Sequence, residues 1–92
     1  MAVSVGFLAK VKTSLRVTFT NLDDEITSLI EEAILDLTET SDIKPFTTED
    51  ADALLTGAVI SYVSYKFFND ESYFKAYNDM KEKIALSGKY RS

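Results

Sequence analysis

The stretch from Thr47 to Phe68 sets the tightest limit on what this chain can fold into. Thr47-Thr48-Glu49-Asp50 offers capping hydroxyls followed by acids, and an unbroken apolar pattern follows. The spacing predicts a helix over about 47–68, roughly 30 Å long at the standard rise. Ala51, Leu54, Leu55, Ala58, Tyr62 and Tyr65 share one face, while Ile60, Val63 and Phe67 lie on nearly the opposite side. A helix that is apolar on two sides needs cover on both, inside its own domain or against a partner. Between the faces runs a stripe of small residues, Gly57, Ser61 and Ser64. Gly57 costs about 1 kcal/mol relative to Ala in a helix interior, a cost that close approach of another helix would offset.

Three further segments carry helical periodicity, over about 3–15, 22–39 and 70–87. In the first, Phe7, Leu8, Val11 and Leu15 fall on one face. The β-branched and aromatic run Arg16–Thr20 reads as an extended connector in which Val17 and Phe19 both point to the core. Asn21 is a suitable cap for the second helix, with Asp23, Asp24 and Glu25 in the first turn, where the helix dipole favours anions. Its apolar stripe is Ile26, Leu29, Ile30, Ala33, Ile34 and Leu37, and Pro45 cannot continue it. The fourth helix repeats Tyr73, Tyr77, Met80 and Ile84, and stops at Ser87-Gly88, with Gly88 suited to a left-handed cap. The expectation is an all-α, compact bundle of four helices, with short connectors and a short C-terminal tail, forming one domain over 1–92. At 92 residues the chain buries one core of marginal stability.

The chain contains no cysteine and no histidine. Disulfides, thiolate metal sites, thiol nucleophiles and imidazole bases are therefore out of reach. Gly6, Gly57 and Gly88 are isolated, so no phosphate-binding loop is present, and Asp23-Asp24-Glu25 lacks the alternating ligands of a calcium loop. No catalytic residue, metal site or cofactor is expected, and an enzyme is not expected. The apolar residues near the start are followed by Lys10 and Lys12, the reverse of a signal peptide, so a soluble particle or the cytosol is expected.

The net charge of −5 is segregated. Residues 1–20 hold Lys10, Lys12 and Arg16 without an acid, whereas 21–42 hold eight acids, from Asp23 to Asp42, without a base. Solvated helix faces explain much of this. A basic surface on one copy meeting an acidic surface on the next would explain it too, and such complementarity sets register more than affinity. Seven aromatics crowd the end of helix three and the start of helix four: Tyr62, Tyr65, Phe67, Phe68, Tyr73, Phe74 and Tyr77. Tyr62, Tyr73 and Tyr77 read as core. Phe67, Phe68 and Phe74 fall off the main stripes and divide between core and interface. Leu35 sits opposite its helix's apolar stripe among Glu31, Glu32 and Glu39.

Three stretches, in order, resemble the head–tail connector proteins of tailed bacteriophages, also called DNA-packaging or head-completion adaptors. They are Leu15-Arg16-Val17 with Leu22–Ile26 and Leu29–Ala33; Ala58–Val63; and Tyr77–Lys81 with the closing Leu86-Ser87-Gly88-Lys89-Tyr90. Ser41-Asp42-Ile43 stands where the family often has a Gly-containing turn, and Asp70 where many members carry arginine. The resemblance implies a homo-oligomeric ring at the portal vertex of the virion, assembled in the bacterial cytoplasm. Its partners would be further copies of itself, the portal protein, and tail or further adaptor proteins. DNA would pass through the lumen without sequence-specific binding, and no membrane is involved. Ring closure needs heterologous contact, one patch on each subunit meeting a different patch on its neighbour. The candidates are Ile60, Val63 and Phe67 on one side, and the acidic face around Leu35 on the other. An acidic lumen would repel the phosphate backbone and let DNA slide. The competing reading is a monomeric helical adaptor or regulator that binds one protein partner through the aromatic end of helix three. A helix-turn-helix DNA binder is disfavoured, because no helix presents a basic recognition face.

Overall fold

A computed structural model describes residues 3–41 and 43–91. Asp42 of the acidic run, Ser92 of the tail and the first two residues lie outside them. Four helices follow one another: α1 (Val5–Leu15), α2 (Asp23–Thr40), α3 (Ala53–Phe68) and α4 (Glu71–Ser87). The architecture is all-α, and among the described residues there is no strand, only an isolated bridge between Ile43 and Arg91.

Ser4 caps α1 by accepting the Phe7 N–H at 3.2 Å, and Phe7, Val11 and Leu15 turn inward. The helix closes on Arg16 in the left-handed region (φ 60°), with the Val17 N–H returning to the Lys12 carbonyl at 2.9 Å. That six-to-one bond satisfies an otherwise orphaned carbonyl and carries Val17 into the core. Phe19, expected beside it, is exposed. The connector is not a pleated strand, so the period-two reading that paired the two side chains does not apply.

The second helix begins without a side-chain cap: Leu22, not Asn21, occupies the cap position. Its start is held instead by the three acids in its first turn and by Lys12, whose ammonium lies 2.6 Å from Asp23 Oδ1 and ties α1 to α2. Ile26, Ile30, Ala33, Ile34 and Leu37 are all completely buried.

The third helix starts six residues later than the sequence suggests, because two capping sequences compete. Thr47 is consumed in a local turn in which its hydroxyl donates to Asp50 and the Asp50 N–H reaches the Thr47 carbonyl at 3.1 Å. That turn faces Thr48 inward, where its Oγ1 accepts the Ser4 N–H at 3.1 Å. Asp52 then caps α3 by accepting the Leu55 N–H at 3.0 Å. At 16 residues the helix is roughly 24 Å long. It touches each of the other three helices and is buried nearly all round.

Asn69, left-handed at φ 54°, and Asp70 form the elbow into α4, and Asp70 caps it by accepting the Ser72 N–H at 3.0 Å. The two helices close on the small-residue stripe: a Cβ built on Gly57 would stand 3.3 Å from Met80 Sδ, and the Ser61 hydroxyl contacts the same sulfur at 3.8 Å. This is the close approach that a glycine in mid-helix anticipates. Gly88 ends α4 at φ 72°. Beyond it Lys89–Arg91 fold back along Ile43–Phe46, with the Lys44 N–H donating to the Tyr90 carbonyl at 2.8 Å.

Candidate interaction surface

Two parallel sets of side chains lock α2, α3 and α4 together. On α2, Glu32 and Asp36 are four residues apart, as are Tyr62 and Lys66 on α3 and Tyr77 and Lys81 on α4. The Tyr62 hydroxyl donates to Glu32 at 2.6 Å, with Lys66 3.9 Å from the same carboxylate. The Tyr77 hydroxyl donates to Asp36, whose carboxylate also takes Lys81 at 3.2 Å. The two rings meet edge to face with centroids 5.1 Å apart, and each lies near its own lysine, at 5.7 and 5.5 Å. Burial, followed by the hydrogen bond to the neighbouring carboxylate, pushes both phenols above the ordinary tyrosine range. Both hydroxyls therefore remain protonated donors, a structural role and not that of a proton shuttle.

The elbow beyond this lock carries two separate groups of aromatic rings. Tyr65 and Phe74 lie 4.7 Å apart, Phe67 and Phe68 meet edge to face at 5.3 Å, and Phe68 approaches Tyr73 at 5.9 Å. Phe68 is 47% exposed, Phe74 40%, and Tyr73, expected in the core, is exposed as well. Lys66 and Lys75 flank them, both exposed. Large apolar side chains grouped on a surface mark interfaces, whereas scattered ones do not.

The six residues singled out from sequence separate into four groups. Phe68 and Phe74 both lie exposed at the elbow, Phe68 against Phe67 and Tyr73 and Phe74 against Tyr65. Leu35 is 57% exposed and stands apart on the outer face of α2 among Glu31, Glu32 and Glu39. Ile60 and Phe67 are half-buried and pack against the core. Val63 corrects the reading outright: it is 0% exposed and belongs to the core, because the other helices already cover that flank of α3. No partner can touch it while the bundle is closed.

A second cluster carried no expectation from sequence. Asp52, besides capping α3, accepts the Tyr90 hydroxyl and lies 3.1 Å from the Lys89 ammonium. Burial works to raise its carboxyl, but the Leu55 N–H, the Tyr90 hydroxyl and Lys89 outweigh it and lower it from 3.8 to about 2. Only the capping role was readable locally, since Asp52 and Tyr90 are 38 residues apart. Among the described residues no group of three or more carboxylates is placed to hold a metal ion, and no helix is long and apolar enough to cross a membrane. Comparison with protein-family models, with curated proteins and with solved structures gives no match for this chain.

Proposed function

We propose that the chain is a structural head–tail connector subunit of a tailed phage or prophage. In this reading it assembles as a ring below the portal, through which DNA passes, and does no chemistry. The observation that carries the reading is the aromatic elbow: Phe68, Tyr73 and Phe74 are all exposed within one short stretch of chain, 68–74. With the exposed Lys75 beside it, the elbow of one subunit suits the Leu35 face of the next, flanked by Glu31 and Glu39, a heterologous contact of the kind a ring requires. The sequence resemblance supplies the biological setting.

The isolation of Leu35 favours a second reading, a monomeric adaptor or regulator whose elbow binds one protein partner, since a self-assembling subunit needs two patches and Leu35 alone is a small one. Electron microscopy of the concentrated protein separates them. Closed rings with a central opening wide enough for duplex DNA support the connector, and dispersed monomers at every concentration support the adaptor.

A further inference from the structure

The C-terminal strap is fastened to a single seat. Its backbone pairs with Ile43–Lys44, through the Tyr90 carbonyl at 2.8 Å and the bridge at Arg91. Its side chains converge on one carboxylate, Asp52, which takes the Tyr90 hydroxyl and the Lys89 ammonium. Among the described residues, these long-range hydrogen bonds and the bridge are made to the segment 43–52. The seat is also incompletely filled. A cleft of about 380 Å³ opens between the strap and the walls formed by Pro45, Phe46 and Leu55, with Asp50 at its rim. Gly88, left-handed, is a single hinge through which the strap can be redirected without disturbing α4.

We propose that Lys89–Arg91 of one copy exchanges into the Ile43–Asp52 seat of a second copy of this chain. Exchange keeps every contact: the same amide finds the same carbonyl, and the same amine and phenol find the same carboxylate. The balance between closed and exchanged forms is then set by the hinge and by the local concentration of neighbouring seats. Three residues span at most about 10 Å when extended, so donor and acceptor must be direct neighbours. The contact is heterologous, a strap on one side and a seat on the other. The inference goes beyond the connector reading and does not require it, although a ring would gain a tie between adjacent subunits.

Zero-length carbodiimide coupling of an unlabelled and a nitrogen-15-labelled preparation of the whole chain tests this. The reagent joins Lys89 to Asp52 only where the two are paired, and mass spectrometry of the linked peptides reports whether both halves carry the same isotope. Mixed-isotope 52–89 links that become more abundant as the chain is raised to about 1 mM, the range of effective concentrations in an assembly, are expected. Asp52→Asn should abolish those links and lower the covalent dimer. Single-isotope links alone at that concentration would overturn the exchange, and so would the absence of any 52–89 link.

Discussion

Replacing Tyr77 with Phe removes one oxygen from the centre of the α2–α3–α4 lock and leaves the ring in place. A hydrogen bond to a charged group contributes about 1.5–3 kcal/mol. The lower part of that range applies here, because the Asp36 side chain is 34% exposed and keeps Lys81 at 3.2 Å. The expected loss is about 1.5 kcal/mol, which for a domain of this size lowers Tm by roughly 6–12 °C. Tyr62→Phe should cost less, since its partner Glu32 is more exposed, at 51%, and water can take the place of the phenol. Thermal and urea unfolding followed by circular dichroism read both variants, with helix content at low temperature as the control for an intact fold. A Tyr77→Phe variant within about 0.3 kcal/mol of the parent would refute the lock, because even a weak internal hydrogen bond contributes more than that. A larger loss for Tyr62→Phe than for Tyr77→Phe would refute the ranking by burial.

Other perturbations separate the remaining parts of the account. Gly57→Ala should stabilise by about 0.5–1 kcal/mol, because it gains helix propensity and the atom it crowds is the flexible end of Met80 at 3.3 Å; Gly57→Leu should destabilise by about 1–3 kcal/mol through overpacking. Thermal unfolding of both variants checks the sign of each change. Asp52 has a carboxyl lowered to about 2 in the folded chain, against 3.8 ordinarily, so its charged form contributes stability that is present above 3.8 and lost as pH falls through about 2. The difference in Tm between the parent and Asp52→Asn should therefore shrink between those two values, and a difference that persists unchanged below pH 2 would count against the clasp. Val63→Asp should unfold the chain, since it buries an unpaired charge in the core, whereas Leu35→Asp should leave the stability within about 0.5 kcal/mol of the parent; circular dichroism distinguishes the two.

What could be read from the chain follows physical range. Periodicity over adjacent turns located all four helices, and the Gly57 stripe anticipated the contact with Met80, because a missing side chain has only a packing use in mid-helix. The late start of α3 was not legible: Thr47 and Asp52 are both sound caps, and the choice depends on Thr48 meeting Ser4, 44 residues away. Val63 was placed on an outer flank because a helical wheel shows which sides are apolar but not which of them the same chain covers. The paired Tyr-x-x-x-Lys spacings were visible at 62–66 and 77–81, but their shared purpose appears only once α2 supplies Glu32 and Asp36 opposite them. The strap's clasp had no local signal at all, since its halves are separated by all of α3 and all of α4.

Native mass spectrometry of the parent chain beside a Phe68→Asp, Phe74→Asp double variant addresses self-assembly through the elbow most directly. The parent should form one closed oligomer as concentration rises, and the variant should keep its helix content while losing that species. A parent that stays monomeric throughout, or a variant that assembles to the same mass, would contradict it.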